Sequence, residues 1–224
     1  MKSIKKVCYM FLIMLQSLSF LTGCGKVKVT EPPRETKGTE GLVFLEGMSE
    51  EDFITSDTNL IYGAGDRLRE MNNPVIDKKV TSPEDAVALI NAIGYKFGVS
   101  NYSFHAETED NGNDEVRIYY LKQLYEGIPV EEGFFRIYTN VDGTVTSVSG
   151  LYVNANLDDV TPRVSLEGAM NGNEIKGAAR AELVITELAG RPELSWKIYK
   201  RNGDTTFISA MDGTILRKSS EIIY

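Results

Sequence analysis

From Val116 to Gly150 apolar and polar positions alternate, and the rest of the chain is read from that run. Val116–Tyr125 is rich in β-branched and aromatic residues, which suit a pleated, half-buried surface. Gly127 and Pro129 interrupt it. Phe134–Asn140 follows as a second strand with Phe135 and Ile137 on one face. Asp142-Gly143 then supplies the left-handed positions of a tight hairpin before Thr144–Ser149 returns.

Upstream the period changes. Ser82-Pro83-Glu84-Asp85 combines an N-cap serine, a proline in the first turn and acids near the positive helix end. Ala86, Leu89, Ile90, Ile93 and Phe97 then recur at three- and four-residue spacing, which predicts one helix ending near Gly98 and packed on the sheet. Tyr102–Glu107 reads as a further strand and Glu107–Glu115 as a solvated acidic turn. Its oxygen ligands hint at calcium, but the spacing is not that of an EF-hand loop and a strand follows. Thr58–Met71 reads as helical despite Gly63 and Gly65, Gly41–Glu46 as a short strand, and Ser49–Asp52 as a helix start. Gly63-Ala-Gly65 is not a phosphate loop, because Leu68 stands at the third glycine position and no Gly-Lys-Ser/Thr follows.

Tyr152–Pro162 is polar and reads as a linker. Beyond it come a short helix at Leu166–Met170 and strands at Ala181–Glu187, Glu193–Arg201, Thr205–Ala210 and Thr214–Lys218. The separators, Gly190–Pro192, Asn202-Gly203 and Asp212-Gly213, are all turn chemistry. Leu194, Trp196 and Ile198 alternate onto one face, which makes Trp196 core. Ile137–Val145 and Phe207–Ile215 share the order strand, Asp-Gly-Thr, strand, so one hairpin device is used twice. The fold class expected is α+β: two small modules, each a helix packed on an antiparallel sheet.

The N-terminus has a different character. Met1–Lys6 is basic, and Val7–Phe20 is apolar but short for a membrane span. Leu21-Thr22-Gly23-Cys24 resembles a bacterial lipobox, in which the cysteine takes a diacylglycerol thioether and the leader is cut just before it. Residues 1–23 are then a signal peptide, and Cys24 anchors the protein to the extracytoplasmic face of the cell membrane. Cys8 leaves with the leader, and the Cys24 thiol is blocked. Gly25–Gly41, with Pro32-Pro33 and no apolar period, reads as a flexible tether, giving residues 24–40 that role.

Of the 224 residues, 42% are hydrophobic and 25% charged, which excludes a disordered chain. The formal charge is −8, and residues 1–23 hold three lysines and no acid, so the body is more acidic still. That balance disfavours nucleic acid and anionic lipid head groups as ligands; it suits a basic protein partner, or solubility alone.

The acidic residues could give a carboxylate site, but no sequence motif points to a catalytic one. His105 is the one histidine, so the H-E-x-x-H helix of zinc proteases is absent, and no G-x-S-x-G elbow accompanies the histidine. The expectation is a protein that is not an enzyme, with no cofactor and no metal.

One resemblance sharpens this reading. Gln123-Leu-Tyr-Glu-Gly-Ile-Pro-Val130, Glu132-Gly133, Asp142-Gly143 and Val148-Ser-Gly150 resemble the propeptide of thermolysin-type and fungalysin-type metalloproteases. Leu194-Ser-Trp196 and Phe207–Ile215 resemble the PepSY module that follows it in those propeptides. Glu131-Glu132 departs from the pattern. The resemblance implies a propeptide-like region at 41–157 and a PepSY-like one at 158–224, cystatin-like in style. Gln123, Tyr125, Gly127, Pro129, Gly133, Asp142, Gly143, Trp196, Asp212 and Gly213 are its motif positions, shaping turns or meeting a partner. It further implies a binding protein that inhibits or helps to fold a secreted or wall-associated metallopeptidase. A surface lipoprotein with a structural or ligand-binding role and no peptidase partner is the alternative at this point.

Overall fold

Two hydrophobic clusters share one continuous set of strands. The computed structural model describes residues 27–38, 53–100, 103–109 and 114–220. Its character is α+β, mostly sheet with two helices among the described residues. The strands are β1 (Lys28–Val29), β2 (Asn59–Tyr62), β3 (Leu68–Asn72), β4 (Ser103–Glu109), β5 (Val116–Tyr125) and β6 (Ile128–Asn140). They continue with β7 (Val145–Leu151), β8 (Ala178–Leu188), β9 (Arg191–Lys200), β10 (Thr205–Ser209) and β11 (Ile215–Ser219). The helices are α1 (Pro83–Ile93) and α2 (Leu166–Gly172).

The first cluster lies between α1 and the antiparallel strands β4-β5-β6-β7-β3-β2. Period-two alternation gives β5 and β6 one apolar face, and the register sets Tyr119 opposite Ile137 and Leu121 opposite Phe135. Phe135 is central, meeting Phe97 and Phe104 edge-on at centroid distances of 5.3 and 5.9 Å. α1 starts as the sequence dictates. Ser82 Oγ accepts from the Asp85 amide, and the Asp85 carboxylate accepts from the Ser82 amide, satisfying two orphan donors at once. Leu89, Ile90 and Ile93 are fully buried on its inner face, each stabilising the fold by about 1.5–3 kcal/mol. A 3₁₀ turn, Gly94–Phe97, then brings Phe97 onto Phe135 and ends at Gly98.

The second cluster packs α2 against β8-β9-β10-β11, with Ile185, Leu194, Trp196, Ile198, Ile208 and Ala169 inside. This sheet is not purely antiparallel. β1 lies parallel to β8, and Val130 of β6 pairs parallel with Ile185 of β8. β6 therefore belongs to both sheets, its start joined to β8 and its remainder to β7.

Three expectations are corrected. Thr58–Met71 is a hairpin, β2 to β3, and not a helix. Gly65 and Asp66 adopt φ of 72° and 54°, and Gly63 N–H donates to Arg67 O, closing a turn that a helix cannot contain. The deciding contact is remote, since Met71 pairs with Val148 of β7. Tyr152–Pro162 is not a solvated linker, because Val153, Ala155 and Val160 are buried in the second cluster. Residues 27–38, within the expected tether, run along the fold. Thr30 N–H donates to Ala181 O, Thr36 N–H to Phe104 O, and Gly38 lies against Val87 and Ala88 of α1. Backbone pairing at sheet edges replaces the missing apolar period there. Gly41–Glu46, Ser49–Asp52 and the leader with Cys24 lie outside the described residues.

Candidate functional site

Five of the motif positions, Gln123, Tyr125, Gly127, Pro129 and Gly133, lie together where the two hydrophobic clusters meet. β5 ends at Tyr125 and β6 begins at Ile128, and these two residues face each other across the two-residue turn Glu126-Gly127. Both turn residues have positive φ, 49° and 80°, the geometry whose twist matches that of the flanking strands and which favours glycine second. Pro129 follows beside a register shift in the β5–β6 pairing, where its missing N–H interrupts no regular ladder.

Gln123 is the keystone. Its side chain is fully buried and acts as a short strand: Nε2 donates to Val153 O at 2.7 Å, and Val153 N donates to Oε1 at 3.1 Å. A buried backbone pair that no strand reaches is satisfied in this way. Gly133 makes room for it. A β-carbon there would stand 2.2 Å from Gln123 Oε1. Gly150 does the same for the Phe135 ring, at 2.3 Å. Tyr125 adds a second tie, its hydroxyl donating to Leu157 O at 3.2 Å. Gln123, Tyr125 and Gly133 thus hold segment 153–157 onto the sheet.

The two Asp-Gly turns repeat one arrangement. Asp142 accepts from the Thr144 amide at 3.0 Å and from Lys79 Nζ at 2.9 Å, and these bonds hold its carboxyl far below the ordinary carboxylate range. Gly143, at φ 84°, accepts from Val80 N, so the tip fixes the approach to α1. Asp212 accepts from the Thr214 amide and hydroxyl at 2.9 and 2.7 Å, which likewise lowers its pKa. Gly213 O accepts from Asn173 Nδ2 at the end of α2. Each turn therefore braces one helix. Trp196 is buried, its Nε1 donating to Val164 O at 2.9 Å, which ties β9 to the residue before the α2 cap.

Glu131 and Glu132 have a role that sequence reasoning missed. Glu131 pairs with Lys197 on β9, and Glu182 lies 3.9 Å from the same ammonium. Glu132 accepts from Thr186 Oγ1, from the Glu187 amide and from Arg217, each at 3.1 Å. Both carboxylates therefore fasten β6 to the second sheet. Burial opposes the Lys197 charge, but Glu131 and Tyr199 outweigh it and raise the lysine above its ordinary pKa. Burial, with the bond to Glu182, raises Tyr199.

His105 lies on β4. Its Nδ1 lies 2.7 Å from Arg34 O, and Nε2 is 4.0 Å from Glu107, so it fastens the N-terminal segment to β4. Among the described residues no three His, Cys, Asp or Glu side chains converge as metal ligands. A cleft of about 490 Å³ opens beside the β5–β6 turn, lined by Tyr125, Glu126, Tyr152, Asn154 and Asn156 among others. It offers hydrogen-bonding groups, Ser100 among them, around an exposed turn.

The Fungalysin/Thermolysin Propeptide Motif matches residues 104–152. The matched stretch runs from β4 through β7, includes Gln123 to Gly133, and stops one residue before the Val153 that Gln123 holds. What is matched is a propeptide motif, not a catalytic peptidase domain. A search of curated proteins returned no match.

Proposed function

We propose that this chain is a non-catalytic binding protein that docks on a secreted or wall-associated metallopeptidase, as its inhibitor or folding aid. The observation that carries the proposal is the propeptide motif over 104–152, whose motif residues here build the β5–β6 hairpin and clamp Val153. The exposed Glu126-Gly127 tip and the adjoining cleft are the surface offered to the peptidase. A preformed turn beside a concave polar wall suits docking without backbone rearrangement.

The same proposal takes the chain as two modules, propeptide-like and PepSY-like, joined by β6, with Cys24 lipidated and the folded part outside the cytoplasm. The lipobox-like Leu21–Cys24 supports the anchor. The shared Asp-Gly-Thr turns, each bracing a helix, support the pairing of modules.

The test is affinity capture from the secreted proteins of the producing cell, with the native chain and a Glu126→Lys/Gly127→Val variant as baits. The expected result is a metallopeptidase held by the native bait and lost from the variant. Capture of no peptidase across a range of salt, from baits of equal thermal stability, overturns the proposal.

A further inference from the structure

The acidic net charge conceals a segregated surface. At one end of the second sheet lie the start of β8, the end of β9, the start of β10 and the end of β11. Six basic residues gather there. Lys28 pairs with Arg180, Ala178 with Lys200, and Thr206 with Lys218. Arg201 N–H donates to Gly177 O, which puts Arg201 beside Lys176. Lys28, Lys176, Arg180, Arg201 and Lys218 are exposed, and Lys200 is half-buried. Among the described residues the acids at this end are Glu174 and Asp204. Glu182, one row further in, is engaged by Tyr199 and Lys197. The opposite end reverses the balance, with Asp158, Asp159, Glu187, Glu193 and Asp212 against Arg163 and Arg191.

The chain enters at the basic end. β1 runs parallel to β8, so residue 27 leads in from the side where β8 begins. Cys24 precedes Lys28 by four positions, a span of at most about 14 Å of extended chain. Because residues 27–38 are paired along the fold, no long tether separates an acylated Cys24 from the sheet. A span that short lets the basic end approach within one Debye length, about 8 Å, of the lipid phosphates, where charge attraction survives physiological salt.

We propose that this basic end seats the protein on an anionic bilayer, setting β8–β11 upright on the membrane with its acidic end outward. The proposal rests on the lipid-anchor reading. Lipid head groups are favoured over a soluble polyanion because the chain's own route to Cys24 leaves from Lys28, itself one of the basic residues. Juxtamembrane lysines and arginines gain about fivefold in local partition apiece beside such a surface.

The test uses the protein as purified from the producing cell, with the mass of its N-terminal peptide reporting acylation separately. It is combined with vesicles of pure phosphatidylcholine or of phosphatidylcholine with about 30% phosphatidylglycerol. Lysine labelling by a water-soluble acetylating reagent is then read residue by residue. Expected is labelling at Lys28, Lys176, Lys200 and Lys218 at least about fivefold slower on the anionic vesicles, with Lys78 and Lys122 unchanged and the contrast removed by about 0.5 M salt. A Lys176→Glu/Arg201→Glu/Lys218→Glu variant abolishes the slowing at Lys28 and Lys200. An Arg67→Glu/Lys78→Glu/Arg117→Glu variant of equal net charge keeps it.

Equal labelling on both vesicles, or equal loss in both variants, overturns the proposal. So does protection by soluble polyphosphate with none by vesicles. If the N-terminal peptide is not acylated, the anchor reading fails. Salt-sensitive co-sedimentation of the same chain with anionic vesicles, lost in the first variant alone, then still decides the basic end.

Discussion

Gly133→Ala strikes the Gln123 clamp directly. The added β-carbon would lie 2.2 Å from Gln123 Oε1 and 2.8 Å from its Cβ and Cδ. Gln123 is fully buried, so its amide cannot swing aside and keep both bonds to Val153. Val153 is itself only 2% exposed, and its freed N–H and C=O find little water. Each buried group left unpaired costs about 1–3 kcal/mol, so the substitution costs about 2–6 kcal/mol. That is a large part of the roughly 5–15 kcal/mol that holds a domain folded. Gln123→Ala breaks the same bonds by removing the side chain and costs a similar amount. Once Gln123 is replaced by alanine, however, the contacts with Oε1 and Cδ are gone and a β-carbon at position 133 meets only the remaining Cβ, at 2.8 Å. The two substitutions are therefore strongly coupled, by about 2 kcal/mol or more in a double-mutant cycle. Urea melts of the native chain, both single variants and the double variant measure this. A cost below about 1 kcal/mol for Gly133→Ala, or additivity within about 0.5 kcal/mol, refutes the reasoning.

Three further outcomes follow from the same contacts. Lys197→Met leaves Glu131 mostly buried without its partner, at side-chain exposures of 14% and 18%, and costs about 1–3 kcal/mol, less than for a fully buried pair. Adding Glu131→Gln restores more than half of this in urea melts. Asp142 and Asp212 are held below their ordinary carboxylate value of 3.8 by hydrogen bonds to folded groups. Their contribution is present above that value and is lost as pH falls through the lowered folded values. Thermal melts from neutral pH downward show a declining acid limb, and Asp142→Asn/Asp212→Asn flattens it. Thr36→Val removes the hydroxyl that accepts from the Ala106 amide at 2.8 Å. That costs about 1 kcal/mol and speeds hydrogen exchange at Ala106, while amides of β9 keep their rates.

Local chemistry was legible in the sequence, and remote pairing was not. Ser82 to Asp85 announces α1 because a capping box is complete within four residues. The β5–β7 meander and the last four strands were legible because period-two alternation and Asp-Gly or Asn-Gly turns are contiguous signals. Thr58–Met71 was misread because β3 exists through its pairing with β7, some eighty residues away in the chain, which no window spans. Residues 27–38 were misread for a related reason. A strand two residues long and a few edge bonds leave no periodic trace. Val153-Asn-Ala-Asn-Leu157 did carry a signal, the alternation of apolar with asparagine, but its polarity suggested a linker. Of the motif positions, the structure brings Gln123, Tyr125, Gly127, Pro129 and Gly133 together, while Asp142, Gly143, Asp212, Gly213 and Trp196 brace helices elsewhere. Gln123 and Gly133 were recognisable as motif, yet their shared purpose was not, because the residue they serve is Val153. Glu131 and Glu132 stood out as a departure from the propeptide pattern, and their partners on β8, β9 and β11 explain them only in three dimensions.

The central claim is that this chain acts on a metallopeptidase without catalysis of its own. The most direct measurement titrates the purified chain against the peptidase it captures, following peptide hydrolysis and the yield of refolded enzyme together. The account predicts that one of the two changes to a stoichiometric end point, hydrolysis falling or refolding rising, and that Glu126→Lys/Gly127→Val shifts that end point. Neither quantity moving at a saturating excess of the chain contradicts the account.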